Sequence, residues 1–262
     1  MLTRESEKKE MEDYILEVEN LSVIRSGKLV ISDIDLKIAK GEFVGIVGPN
    51  GSGKTTLLLA ILGILKENTG KIRIYGSGPM SRNNDGRISW VSQAASNIPN
   101  NLRITVRELV KLGSISSRNM FFPGRKKIDV VVDKAIEMVD LKDVEHTDVA
   151  RLSGGQRQRA VIARALASEA EFIILDEPLV GIDRQARSSL LKLLDDLCHD
   201  AGKTILMVSH DLAAIRQTAH RMIYLEESIK FDGITSEFPD LTEIAELRGI
   251  NPIHDESSAH HH

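Results

Sequence analysis

The apolar residues of this chain follow two patterns that exchange along its length. Glu42-Phe43-Val44-Gly45-Ile46-Val47, Phe172-Ile173-Ile174-Leu175-Asp176 and Thr204-Ile205-Leu206-Met207-Val208 are short apolar runs charged only at an end, if at all. Runs of that length read as parallel strands covered on both faces. Ile34, Leu36 and Ile38 alternate with polar residues within 30–38, as do Ile72 and Ile74 within 71–76. These segments, with 15–18 and 87–93, predict further strands, and 222–225 with 229–231 predict a closing pair. Ser26-Gly27 marks a turn between the first two.

Elsewhere the spacing is helical. Helices are expected over 56–62, 106–112, 128–139, from Leu152 to Leu166, and over 184–201 and 212–219. Thr105 with Glu108 fits a capping box ahead of the second, and Asp183 and Gly202 fit the two ends of the fifth. Asp240 opens a short terminal helix ending at Gly249. Strands alternating with helices of this length argue for an α/β domain with a parallel sheet. After Gln93 the strands give way to helices, so residues of about 94–150 read as a small helical subdomain inserted into a core spanning 14–250. Residues 1–13 are a charged leader expected to be disordered, and 251–262 form a tail.

Composition narrows the picture a little. A hydrophobic fraction of 42% and a charged fraction of 27% are those of an ordinary globular protein. A net charge of −4 gives no reason to expect nucleic-acid or anionic-membrane binding. The single cysteine, Cys198, cannot form an internal disulfide and sits in an apolar helical pattern, which fits a reducing compartment and a packed thiol. No apolar run approaches the roughly 18–20 residues a membrane span needs. The chain is therefore expected to be cytoplasmic, with any membrane role depending on a partner chain.

Candidate chemistry begins at Gly48-Pro49-Asn50-Gly51-Ser52-Gly53-Lys54-Thr55, followed by Thr56. This G-x-x-x-x-G-K-T stretch lies between a predicted strand and a predicted helix, the context a phosphate loop requires. Its glycines let successive N–H groups turn toward an anion, and the helix adds its positive end. Lys54 can reach the outer phosphates of a nucleoside triphosphate, and the Thr55 hydroxyl can hold Mg²⁺. Asp176 and Glu177 close an apolar strand, where a buried carboxylate needs a cation. Asp176 suits the metal, and Glu177 suits the polarisation of an attacking water. Leu152-Ser153-Gly154-Gly155-Gln156 opens a helix with exposed N–H groups, a second anion-binding device, although read alone it is an ordinary Ser-Gly cap.

Together, in this order, these motifs resemble the ATP-binding subunits of ABC transporters over about residues 14–235. The resemblance implies a P-loop NTPase core of ABC type, a mixed sheet with flanking helices and an inserted helical subdomain. It implies ATP and Mg²⁺ as ligands and hydrolysis coupled to transport. Gln93 matches the family's metal-sensing glutamine, which faces the membrane partner, so the metal set is Thr55, Gln93 and Asp176. His210, in Ser209-His210-Asp211, matches the switch histidine that contacts the γ-phosphate. Glu177, His210 and Gln93 are thus the catalytic candidates. Asp183, in Gly181-Ile182-Asp183, matches an aspartate that reaches across a head-to-tail dimer. In that dimer Ser153, Gly154, Gly155 and Gln156 of one copy cover the ATP on Lys54 of the other. One departure is Arg25, which stands where the family places an aromatic to stack on adenine; a guanidinium can stack on a purine in its place.

A separate ATPase chain resembles the importer arrangement, with a transmembrane permease and, indirectly, an extracytoplasmic substrate-binding protein. The stretches Trp90-Val91-Ser92-Gln93 and Ile104-Thr105-Val106-Arg107-Glu108-Leu109-Val110 look most like the zinc/manganese uptake group. Iron-chelate or cobalamin uptake and a soluble ATPase of iron–sulfur assembly are the alternatives. The segment 93–112 is expected to dock the permease, presenting Val106, Leu109 and Val110 together with its charged positions. His254, Asp255, Glu256 and His260-His261-His262 at the tail offer either metal ligands or part of a purification tag.

Overall fold

A computed structural model describes residues 14–65, 68–96, 103–115 and 125–239. The expected leader, the helix over 240–249 and the tail lie outside the described residues. Nine strands and six α-helices run in the order β1 (Tyr14–Arg25), β2 (Lys28–Ala39), β3 (Phe43–Val47), α1 (Lys54–Ile61), β4 (Asn68–Ile74), β5 (Ile88–Val91), α2 (Val106–Gly113), α3 (Arg125–Met138), α4 (Gly154–Leu166), β6 (Phe172–Asp176), α5 (Arg184–His199), β7 (Thr204–Val208), α6 (Leu212–Thr218), β8 (Arg221–Glu226) and β9 (Ser228–Ile234) among the described residues.

The strands form two sheets. One is antiparallel, in the order β2-β1-β4, and the other has six strands in the order β5-β6-β7-β3-β8-β9, parallel except for β9. The central strands β6, β7 and β3 of the six-stranded sheet are buried on both faces, which is why they carry unbroken apolar runs. Side chains alternate across it. Val44 and Ile46 of β3, Ile174 of β6 and Leu206 of β7 join the core shared with the antiparallel sheet and α1. Phe43, Val47, Leu175 and Met207 point the other way, into the core shared with α2–α6.

Several boundaries differ from the sequence reading. The first strand runs on to Arg25, past Asn20 at φ 47° and a shift of register between Val18 and Leu21. That irregularity breaks the period-2 pattern that reveals a strand. Ser26 and Gly27 both take positive φ (49° and 75°), the geometry of a tight hairpin turn between β1 and β2. The helix after the phosphate loop begins within the motif, at Lys54, and the fifth helix ends at His199.

Between β5 and β6 the described chain is helical, with α2 and α3 packed on α4. Thr105 caps α2 in a full capping box with Glu108. Val106, Leu109 and Val110 are buried in the core, so they are not the partner-facing surface expected from the sequence. The amphipathic face of α2 turns inward onto α4, and the outward apolar residues near its end are Leu112 and Ile115, 50% and 54% exposed. At Gly113 the two helices approach so closely that an added Cβ overlaps the Arg164 backbone carbonyl. Backbone cannot yield as a side-chain tip can, so Gly113→Ala destabilises the domain by about 3 kcal/mol. Thermal melting checks this against Gly78→Ala, where a Cβ meets open space. The Gly113 variant melts roughly 6–12 °C lower in a chain of this size, and equal melting of the two variants contradicts the packing.

Candidate functional site

The strand order β6-β7-β3 sets three loops side by side at the carboxyl edge of the parallel sheet, where open α/β sheets bind their ligands. After β3, Gly51 (φ 82°) and Gly53 (φ 99°) hold left-handed conformations that wrap the phosphate loop. Gly53 is the N-cap of α1 and supplies no capping side chain, which leaves the positive end of the helix to the loop. Lys54 Nζ donates to the carbonyls of Gly48 and Pro49 at 2.8 and 2.9 Å. Burial lowers the pKa of that ammonium, and the nearby Glu177 and Asp176 carboxylates pull it back up. Ser52 is buried and its Oγ has no hydrogen-bond partner.

Asp176, the last residue of β6, is 3% exposed and accepts a long hydrogen bond of 3.4 Å from Thr55 Oγ1. Burial, then the adjacent Glu177 carboxylate, raises its pKa against the opposing pull of Thr55 and Lys54. A carboxyl with a raised pKa in the folded state contributes stability that is present at low pH and lost as pH rises through that pKa. Asp176→Asn removes the cost of the buried charge, so the nucleotide-free protein melts about 2 °C higher at pH 7. Calorimetric melting checks this; a variant of lower melting temperature contradicts the electrostatic account.

Glu177 has φ 51°, an uncommon left-handed conformation for a side chain of its size, held by its N–H donating to Val208 O at 2.9 Å. Strained backbone of this kind gathers at functional sites. Glu177 Oε2 lies 2.8 Å from His210 Nδ1 and accepts from the His210 N–H at 3.3 Å. The switch loop is itself pinned, with Ser209 N donating to Ile46 O at 3.1 Å and Ser209 Oγ accepting from Asp211 N at 3.0 Å. The acid and the histidine are therefore oriented together over the end of β3.

These groups line a cleft of ≈ 610 Å³ whose walls include Arg25, Asn50, Gly51, Gly53, Lys54, Thr55, Thr56, Gln93, Glu177 and His210. Arg25, at the tip of the β1–β2 hairpin, is exposed at the rim. A neighbouring cleft of ≈ 650 Å³ shares Thr55, Gln93 and Val180 and adds Asp176 and Gly154.

Ser153, Gly155, Gln156 and Asp183 do not line the phosphate-loop cleft of their own chain. Ser153 caps α4 through Gln156 N at 3.2 Å, and Gln156 Oε1 accepts from Ser153 N at 3.0 Å, so both side chains serve a capping box. Asp183 caps α5 through Ala186 N at 2.9 Å. An added Cβ at Gly154 would stand 2.9 Å from Gly181 O, and one at Gly155 would meet Ala186 Cβ at 2.5 Å. These glycines thus pack the turn at Ser153-Gly154-Gly155 against the Gly181 turn and the start of α5. Arg187, which the sequence reading passed over, ion-pairs with Asp211 and ties α5 to the switch loop. Its place one turn after Asp183 was the only signal available, and that spacing is common to any helix.

A phosphate loop on a parallel sheet, an acid pair on the strand next but one and a pinned histidine define a P-loop nucleotide hydrolase. The comparisons are specific: the family model described as ABC transporter matches residues 31–180, and the chain belongs to that family. It is an ABC ATPase, built on ATP binding and hydrolysis. The zinc uptake system ATP-binding protein ZurA of Listeria monocytogenes is 37% identical over 86% of this chain and 87% of its own. The manganese transport system ATP-binding protein MntB of Halalkalibacterium halodurans is 35% identical over 82% of this chain and 84% of its own. An ATP-binding cassette solved as a post-hydrolysis dimer with ADP and Pi overlays with a TM-score of 0.69 at 27% identity, covering 85% of this chain and 100% of that one.

Proposed function

We propose that the chain is the Mg-ATP-hydrolysing subunit of an importer for a divalent metal ion, zinc or manganese, working as a head-to-tail dimer beneath a separate permease. The observation that carries the substrate is the likeness, over most of both chains, to ATPases named for zinc and for manganese uptake. Among the described residues no helix is long and apolar enough to cross a membrane, and in this reading the permease supplies the membrane path. Gln93, at the mouth of the cleft, and the exposed Leu112 and Ile115 support permease docking on the helical side.

The residues fit a magnesium nucleotide. Asp176 is a buried carboxylate whose one side-chain hydrogen bond is long, and Ser52 Oγ is buried without a partner. Both want ligands that a metal-bound triphosphate provides. Thr55, Asp176 and Gln93 would hold Mg²⁺, which neutralises phosphate charge when bound. Lys54 and the amides of the loop bind the phosphates. Glu177 orients and polarises water, and His210 holds Glu177 in place and faces the terminal phosphate. Ser153 and the α4 N-terminus, which do not line the phosphate-loop cleft of their own chain, complete the site of a second copy and exclude water from it.

ATP-dependent uptake into membrane vesicles containing the chain and its permease tests the substrate. Zn²⁺ or Mn²⁺ accumulates with the parent chain and not with Glu177→Gln. Accumulation of an iron chelate or cobalamin in place of either ion contradicts the reading.

A further inference from the structure

On the far side of the domain from the phosphate loop, Asp195, His199 and His220 converge, with one ligand atom of each lying within 4.8 Å of the others. Among the described residues it is the one group of three metal-ligating side chains so placed. Asp195 and His199 share a face of α5 at i, i+4 spacing, and His220 stands between α6 and β8. The two imidazoles meet edge to face with centroids 4.8 Å apart, and both are exposed to solvent. His199 Nδ1 lies 3.2 Å from the Asp195 carboxylate and 3.2 Å from the Asp195 carbonyl. With its proton on Nε2, His199 offers the Nδ1 lone pair beside the Asp195 carboxylate oxygen, a spacing at which both atoms reach one ion. His220 Nδ1 accepts a long hydrogen bond of 3.4 Å from Phe43 N–H. Ligation through Nε2 moves the ring proton to Nδ1 and exchanges that contact for a metal bond.

We propose that this cluster binds a divalent transition-metal ion of the Zn²⁺ class through His199, His220 and Asp195, and that the bound ion slows ATP turnover. Two neutral imidazoles and a carboxylate suit Zn²⁺ and its neighbours, whereas Mg²⁺ and Ca²⁺ take oxygen ligands. The site joins the C-terminal ends of α5 and α6. The opposite ends of the same helices begin at Asp183 and Asp211, beside His210, and are tied by the Arg187–Asp211 ion pair. An ion at the far ends adds a second tie, so it opposes any step of turnover in which the two helices shift against each other. The binding claim stands on the cluster alone; the effect on turnover rests on the ATPase reading of the cleft.

The test uses the full chain with His254, His260, His261 and His262 replaced by alanine, so that tail imidazoles do not compete. Calorimetric titration with Zn²⁺, without nucleotide, gives one ion per chain, unaffected by millimolar Mg²⁺. His199→Ala and His220→Ala each weaken binding at least tenfold, and Asp195→Asn weakens it by about tenfold. The melting temperatures of the metal-free variants, whose changes lie on the surface, show that the fold is kept. Absence of binding, or equal affinity in the His199→Ala/His220→Ala double variant, overturns the site. In Mg-ATP, Zn²⁺ slows the tail-substituted chain at least threefold and leaves the double variant unchanged. Binding with no difference in turnover overturns the regulatory effect. A chain that hydrolyses no ATP refutes the ATPase reading and leaves the binding result to decide the site.

Discussion

Replacing Glu177 with glutamine lowers ATP turnover by about 10²–10⁴-fold, the range associated with a positioned general base, and leaves Mg-ATP affinity within threefold of the parent. The amide keeps the length of the side chain and its contact with His210, where Oε2 lies 2.8 Å from Nδ1. It loses the carboxylate charge that polarises water. Lys54, Thr55 and the loop amides, to which the proposed mechanism assigns binding, are untouched. The loss therefore falls on kcat, as expected for a group acting in the transition state. Single-turnover kinetics with fluorescent-nucleotide binding measure the two separately. Turnover within threefold of the parent removes Glu177 from the chemistry.

Ser153→Arg lowers ATPase activity at least 100-fold without weakening the binding of ATP to a single chain. Ser153 is exposed and does not line the phosphate-loop cleft of its own chain. Its local duty is the α4 cap, whose loss costs about 1 kcal/mol. That cost shifts melting by roughly 2–4 °C in a chain of this length and does not stop catalysis. Across a head-to-tail interface, however, the arginine occupies the space of the terminal phosphate and blocks closure. Ser153→Ala separates the effects, since it removes the cap without the bulk and keeps the larger share of activity. Equal losses in the two variants contradict a role in trans.

Much of this was legible in the chain before its structure. β6 and β7 coincide with their apolar runs, and β3 differs only at Glu42, because strands covered on both faces must be apolar throughout. The phosphate loop, the acid pair and the switch histidine are local motifs at strand ends, so sheet order brings them together without further help. Other features depend on contacts between distant segments. That β1, β2 and β4 form their own antiparallel sheet depends on pairings between segments far apart in the chain, such as Leu16 with Ile74. Gly70, at φ 88° against the Glu19 and Asn20 carbonyls, hides the start of β4. The direction in which Val106, Leu109 and Val110 face was open because an amphipathic stripe fits a subdomain core as well as a partner. The meeting of His199 with His220 is a product of tertiary packing, and their sequence positions give no sign of it.

The most direct test of the account is the mass in solution of the Glu177→Gln chain with and without Mg-ATP. Within one chain Ser153 does not line the phosphate-loop cleft, and in the proposed head-to-tail dimer the nucleotide bridges the two copies. Light scattering at micromolar protein then gives a monomer without nucleotide and a dimer with Mg-ATP, and Ser153→Arg in the same background stays monomeric. A dimer equally stable without nucleotide, or a monomer at saturating Mg-ATP, contradicts the head-to-tail nucleotide sandwich.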